Sequence, residues 1–177
     1  MNDHALIDPR LAQAILDMTR EEDDVSLAHT LVRELNVLLI GRGHAQGVDH
    51  IAFFEARQEK APTLLESTGT SPPWLIMDML DPNKIQRPIE QELGLSESLH
   101  QGAPVYQLCE LGSRRERSIY PTIVVGVQGF LVLSGASVPL HVTPLVEFFI
   151  ELYRNQASLI HSKERDPLTG LYNRRAF

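Results

Sequence analysis

Two apolar stripes at helical spacing lie near the start of the chain. The first stripe consists of Leu11, Ile15 and Met18. The second consists of Leu27, Leu31, Leu35 and Leu38. Asp8-Pro9 precedes the first stripe and is typical of a helix start, while Asp24 is expected to cap the second helix. These features predict two N-terminal helices, and the glycines from Gly41 onward end the second.

The middle of the chain is richer in strand patterns. Strands are predicted at residues 50–57, 63–66, 104–111, 118–125 and 129–134. Residues 74–80 fit a short helix or a strand equally well. Residues 89–100 predict a helix that Gly94 weakens and Gly102 ends. The last two strands flank Gly126 and predict a hairpin.

A long helix is predicted at the end, from about residue 144 to about 165. Its roughly 20 residues span on the order of 30 Å. One heptad-like line along it consists of Val146, Ile150, Tyr153, Ala157 and Ile160. A neighbouring line consists of Leu145, Phe149, Leu152 and Leu159. The first line is predicted to form a dimer seam; alternatively, both lines serve a single core.

Strands flanked by helices predict an α+β fold with a mainly antiparallel sheet. Two helices precede the sheet and one long helix follows it. Residues 1–165 are therefore assigned to one domain, whose last helix leads out of it.

Composition and charge narrow the function. Hydrophobic residues make up 43% of the chain, charged residues 22%, and the net charge is −7. Nucleic-acid binders carry basic faces, so no nucleic-acid partner is expected. Arg114, Arg115 and Arg117 form the tight basic cluster of the chain, which we interpret as a solvated loop between strands in preference to a phosphate site. The opening MNDHALIDPR lacks the pattern of a signal peptide, so a cytoplasmic protein is expected.

The stretch from Ser118 to Val146 contains no Asp, Glu, Lys or Arg. Its length would allow a membrane span. Pro121, Gly126 and Pro139 interrupt it, however, and its apolar clusters flank the predicted hairpin turn. A buried β-hairpin is therefore predicted, and no membrane association.

The segment from Asp166 to Phe177 carries a recognisable motif. It resembles the D-x-L-T-G-L-x-N-R-R-x-F opening of GGDEF-type diguanylate cyclase domains. The matching residues are Asp166, Leu168, Thr169, Gly170, Leu171, Asn173, Arg174, Arg175 and Phe177. Residues 166–177 are accordingly read as the start of such a domain.

The resemblance implies a bacterial parent protein that makes cyclic di-GMP. Such cyclases condense two GTP molecules across two facing subunits, with metal ions such as Mg²⁺ held by carboxylates. The residues that bind GTP and metal in that family lie beyond the motif, so no catalytic residue is assigned in this chain. What precedes the motif is predicted to be a regulatory module and not an enzyme.

The order of elements before the motif resembles a GAF domain. In that family an antiparallel sheet is backed by two N-terminal helices and a C-terminal helix, and its other face carries a ligand pocket. Gly102-Ala-Pro-Val105 resembles the G-x-P-V start of a middle strand. Tyr120-Pro121, followed by residues 129–133, resembles the last hairpin. A PAS-like sensor remains the alternative fold.

Candidate pocket residues follow from the GAF resemblance. They are Phe54, Trp74, Tyr106 and Cys109. Aromatic side chains also fill ordinary cores, and Cys109 is expected to be a buried small hydrophobe. The sequence lacks the patterns of cyclic-nucleotide-binding and bilin-attaching GAF domains, and no cofactor or metal is assigned.

The predicted function is a sensor and dimerisation module that gates a diguanylate cyclase through its last helix. A homodimer and a small-molecule ligand are the expected partners. The alternative is a passive dimerisation cassette that binds no ligand.

Overall fold

The computed structural model describes residues 8–41, 43, 45–59, 73–109, 112, 114–124 and 126–164. Two compact units are present: a helical unit (Met1–Gln46 with His141–Phe177) and a sheet unit (Gly47–Leu140). The predicted strand at 63–66 and the motif at 166–177 lie outside the described residues.

The elements follow the predicted α+β order. In chain order they are α1 (Pro9–Arg20), α2 (Asp24–Leu35), a π-helical turn (Asn36–Ile40), β1 (Val48–Gln58), β2 (Trp74–Asp78), β3 (Gln86–Pro88), a 3-10 turn (Ile89–Gln91), α3 (Leu95–Gln101), β4 (Val105–Cys109), β5 (Glu116–Val124), β6 (Val127–Gly135), a 3-10 turn (Leu140–Val142) and α4 (Thr143–Glu164). The predicted α+β class is confirmed.

Both N-terminal helices begin at capping carboxylates. Asp8 Oδ1 accepts from the backbone N–H of Arg10 at 2.9 Å, as the Asp8-Pro9 pair predicts. The cap of α2 is Asp23 and not Asp24: Asp23 Oδ1 accepts from the N–H of Ser26 at 2.9 Å. That backbone hydrogen bond holds the pKa of the Asp23 carboxyl below its ordinary value of 3.8.

Within the helical unit, α4 packs against both α1 and α2. The predicted leucine stripe of α2 and its π-helical turn is buried, with exposures of 5% or less. Gln156 of α4 donates through Nε2 to the carbonyls of Thr19, at 3.2 Å, and Glu21, at 2.8 Å. One turn further on, His161 Nε2 lies 3.0 Å from Asp24 Oδ2. These contacts attach α4 to the turn between α1 and α2.

The sheet unit is one six-stranded sheet in the order β3-β2-β1-β6-β5-β4. Every neighbouring pair is antiparallel. The predicted hairpin is β5–β6, which pairs residue by residue from Glu116 opposite Gly135 to Val124 opposite Val127. The central strands β1 and β6 are largely buried on both faces.

The close approach of two backbone segments explains Gly135 at the end of β6. A Cβ atom at this position would lie 1.8 Å from the carbonyl oxygen of Gly47, just before β1. Any larger residue at position 135 would push these two segments apart. The pairing of the end of β6 with the start of β1 therefore requires glycine at this position.

The segment between β2 and α3 differs most from the sequence prediction. Of residues 74–80, which fit a helix or a strand equally well by sequence, Trp74–Asp78 form strand β2, and the three-residue strand β3 follows. The predicted helix at 89–100 is split into a 3-10 turn and the shorter α3. Gly94 causes the split: its φ of +82° belongs to the left-handed region and cannot continue a right-handed helix.

The uncharged stretch from Ser118 into the last helix forms strands, a turn and the start of α4. Among the described residues, no helix combines the length and apolarity that crossing a membrane requires.

The Asp23 cap gives a pH-dependent prediction. Asp23→Ala should lower the free energy of unfolding by about 1 kcal/mol at pH 6. Because the folded-state pKa is lowered, the stabilisation by the charge is present above the ordinary value of 3.8 and is lost as the pH falls through the folded-state pKa. The gap to the wild type should therefore narrow at pH 3, in urea denaturation. Asp23→Asn retains an acceptor without the charge and is the control. A gap that does not change with pH would contradict this role.

Candidate functional site

One face of the sheet unit carries an apolar cluster. Its buried members are Ala52, Phe54, Ala56, Ile76, Ile89, Leu95, Ile119, Phe130 and Val132. Each is exposed by 5% or less. In this conformation the chain's own side chains fill the cluster.

The segment from Ile89 to Gln101 supplies two of these side chains. Ile89 is 1% exposed and Leu95 is fully buried. Ser98 Oγ donates to the carbonyl of Ala103 at 2.9 Å, which ties the end of α3 to the start of β4. This segment, here called the cover segment, therefore closes the apolar face.

A charged cluster fixes the cover segment to the sheet. Glu92 accepts from Arg87 and, at 2.9 Å, from Arg117 of β5. The Glu92 and Arg117 side chains are only 16% and 17% exposed. The Arg87 guanidinium also lies 5.7 Å from the centre of the Phe54 ring, within range of a cation–π contact. We call Arg87, Glu92 and Arg117 the clasp.

The structure separates the four predicted pocket residues. Phe54 belongs to the apolar cluster and Trp74 packs at its edge. Tyr106 instead lies on the opposite face: its ring meets that of Tyr120 edge-on at 5.6 Å, and Tyr120 follows the cluster residue Ile119 along β5. Successive strand residues point to opposite faces, so these four side chains do not line one cavity.

Cys109 also lies away from the cluster and is exposed, contrary to the expected buried position. It pairs with Glu116, an odd number of positions from Ile119, and so faces the opposite side. Its thiol donates weakly to the carbonyl of Gln107 at 3.7 Å. Gln107 adopts a φ of +50° where the β4–β5 register shifts, a local irregularity that alternation in the sequence does not reveal.

A groove lies on the outer part of the sheet, at β1, β2 and β3. Its volume is about 280 Å³, and its lining residues are Glu55, Arg57, Gln58, Glu59, Leu75, Ile76, Met77 and Gln86. Glu55 pairs with Arg57 and its side chain is only 12% exposed. Charged, polar and apolar side chains all line the groove. The sequence alone does not predict it, because the groove forms only when three strands pair.

Two of the three arginines in the predicted basic cluster form ion pairs. Arg115 donates to both carboxylate oxygens of Asp49 on β1, one at 3.1 Å. Arg117 belongs to the clasp. In the part of the chain that the structure describes, no group of three or more His, Cys, Asp or Glu side chains is arranged to hold a metal ion.

The predicted dimer seam on α4 faces inward. Val146, Ile150, Tyr153, Ala157 and Ile160, here called the buried line, are exposed by 8% or less within the single chain. They are therefore not available to a second copy in this conformation. Of the two adjacent phenylalanines, Phe149 is fully buried and Phe148 is 44% exposed. Leu159, from the second predicted line, is 54% exposed.

Comparison with known proteins gives similarity of fold. The chain superposes on a crystal structure of residues 122 to 287 of a methyl-accepting chemotaxis protein, with a TM-score of 0.60 and 12% identity, over 86% of this chain and 98% of that one. It also superposes on the GAF domain of the Acinetobacter phosphoenolpyruvate-protein phosphotransferase, with a TM-score of 0.53 and 10% identity, over 92% and 98%. No protein-family profile and no curated protein matches the sequence. The fold is GAF-like.

The clasp gives a stability prediction. Glu92→Gln removes the charge that two arginines share at a half-enclosed site, so we expect the free energy of unfolding to fall by about 2 kcal/mol. Glu151→Gln is the matched control, because Glu151 is 62% exposed and its partner Arg154 lies in the same helix. That change should cost no more than about 0.5 kcal/mol. Urea denaturation of both variants tests this, and equal losses would argue against the clasp.

Proposed function

We propose that this chain is the regulatory module of a diguanylate cyclase. The observation that carries the proposal is the motif at residues 166–177, which follows the last helix of a GAF-like fold. In the parent protein the downstream residues of the cyclase domain would bind GTP and Mg²⁺. This chain supplies the regulator, in keeping with a cytoplasmic protein that draws on cellular GTP.

The path for a signal is α4. Its 22 residues span about 33 Å at 1.5 Å per residue. Gln156 and His161 attach it to the turn between the first two helices, and it ends at Glu164, immediately before the motif. A ligand shifts such an element only if it binds one arrangement more tightly than another.

A ligand at the apolar cluster must displace part of the cover segment. Ile89 and Leu95 fill the space beside Phe54, and the clasp holds the segment closed. Binding there therefore breaks the ion pairs of Glu92 and exposes apolar side chains, unless the ligand replaces both sets of contacts. The groove beside Glu55 offers a position that needs no such opening.

The filled cluster also favours the second candidate, a passive dimerisation cassette. A domain without a ligand has no need of a cavity, and its cluster would remain closed. Thermal unfolding of the chain across a metabolite library separates the two. A sensor is stabilised by about 2.7 kcal/mol when its ligand is present at a hundredfold excess over Kd, and a passive cassette is stabilised by none.

The direct test uses the full-length gene product that contains this chain. We expect it to form cyclic di-GMP from GTP and Mg²⁺. We expect Gln156→Ala, which releases the carbonyls of Thr19 and Glu21, to change that rate about fivefold or more, as coupling between sites typically does. Ser158→Ala, at an exposed position on the same helix, is the control.

Two results would contradict the proposal. A full-length product that makes no cyclic di-GMP would rule out the cyclase. An active product whose rate is the same in the Gln156→Ala variant would rule out gating through α4.

A further inference from the structure

We propose that the groove at β1, β2 and β3 binds a small primary amine that carries a short apolar chain. In this site the ammonium group binds Glu55, and the chain lies along Leu75 and Met77, which also line the groove. The inference goes beyond the proposed function, because binding of an amine at this groove does not require a cyclase.

Most side chains that line the groove belong to the face of the sheet opposite to the apolar cluster. Glu55 of β1 pairs with Met77 of β2, and Met77 pairs with Gln86 of β3. Opposed residues on paired strands point to the same face, about 5 Å apart, so these three side chains form one row across the groove. Phe54 of the cluster is the neighbour of Glu55 along β1 and points to the other face. A ligand in this row therefore leaves the cover segment and the clasp in place.

The row is closed at its inner end. Gly129 of β6 lies next to Glu55, and Thr122 of β5 lies next to Gly129. A Cβ atom at Gly129 would lie 2.9 Å from both the Phe53 ring and the Thr122 methyl group, so these two buried side chains already fill the space over the glycine. The Glu55 side chain is only 12% exposed. Its carboxylate therefore stands at the enclosed end of the groove.

The charges of the lining favour a cation. Glu55, Arg57 and Glu59 follow one another at every second residue, and all three line the groove. Arg57 donates to Glu55 through Nε, while its side chain is 68% exposed. Among the described residues that line the groove, two carboxylates thus share one guanidinium. A ligand with a single positive charge balances the remaining negative charge, whereas an anion would add to it.

Arg57 can exchange one carboxylate for the other. The backbone N–H of Glu59 donates to the carbonyl of Pro73 at 3.0 Å, which extends the pairing of β1 with β2 by one residue. In this extended backbone, Glu55 and Glu59 lie about 7 Å from Arg57 along the chain, on either side of it. An ammonium group that replaces Arg57 at Glu55 lets the arginine pair with Glu59. No charge then loses its partner, and the amine gains a charge-assisted hydrogen bond at an enclosed carboxylate.

The rest of the lining suits an apolar chain of limited length. Leu75 and Met77 lie opposite Arg57 and Glu55 on β2, and both side chains are partly exposed. The groove volume of about 280 Å³ equals that of about nine water molecules at 30 Å³ each. This size fits a metabolite and is too small for a folded partner.

Isothermal titration calorimetry of the 177-residue chain at pH 7 tests the site with three compounds of similar size. We expect 2-phenylethylamine to bind with a Kd below about 1 mM. The neutral 2-phenylethanol and the anionic phenylacetate should each bind at least about tenfold more weakly, because neither offers a cation to Glu55. Absence of amine binding, or an alcohol that binds as tightly as the amine, would overturn the proposal.

Substitution of the enclosed carboxylate tests its role. Glu55→Gln keeps the shape of the side chain but removes its charge, so we expect the Kd of 2-phenylethylamine to rise at least about tenfold. Glu97→Gln is the matched control: it makes the same change of charge at an exposed position of α3, outside the groove, and should leave the Kd unchanged. Circular dichroism checks that both variants are folded. An unchanged Kd in a folded Glu55→Gln variant would contradict the site.

Two variants of Gln86 give a test that leaves Glu55 intact. Gln86 is exposed and lies two strands, or about 10 Å, from Glu55 in the same row. Gln86→Glu should lower the Kd of 2-phenylethylamine and Gln86→Lys should raise it, each about twofold, because each adds a charge near the bound ammonium. Shifts in the same direction would count against a cation site. None of these measurements depends on cyclase activity, so failure of the proposed function and failure of this inference can be told apart.

Discussion

The rotation of α4 about its own axis is the constraint on which the helical unit depends. Gln156 donates to the carbonyls of Thr19 and Glu21, and His161 lies against Asp24. The backbone carbonyls at the end of α1 need donors, and a buried glutamine amide needs acceptors, so both sides lose stability if the helix turns. With the rotation fixed, the buried line belongs to the core, while Phe148 and Leu159 lie on the surface.

The sheet unit depends instead on one apolar face that the chain's own side chains cover. Phe54 and Phe130 pair across β1 and β6, and Ile89 and Leu95 cover them. The cover segment is not held by packing alone, because Glu92 joins two arginines from different strands. The sheet unit thus keeps this apolar face filled and adds a polar attachment that holds the cover segment in place.

The spacing of apolar residues in the sequence predicts the helices and strands well. It does not predict which of their side chains are exposed to solvent. The leucine stripe of α2 and the β5–β6 hairpin follow from local spacing alone. The choice between Phe148 and Phe149 does not, since adjacent aromatic residues satisfy the same pattern and only packing decides which is buried. The split at Gly94 depends on a backbone angle, and the meeting of Glu92 with Arg117 depends on a contact between segments distant in sequence. Contacts between segments that are distant in sequence decide these features, and local spacing does not encode such contacts.

Cysteine reactivity along α4 tests the central claim most directly. In a Cys109→Ser background, single cysteines at positions 148 and 150 would be alkylated under native conditions. The thiol of Phe148→Cys should react at least about tenfold faster than that of Ile150→Cys, because position 148 is exposed and position 150 is buried. Equal rates, or a faster reaction at 150, would contradict the fixed rotation of α4.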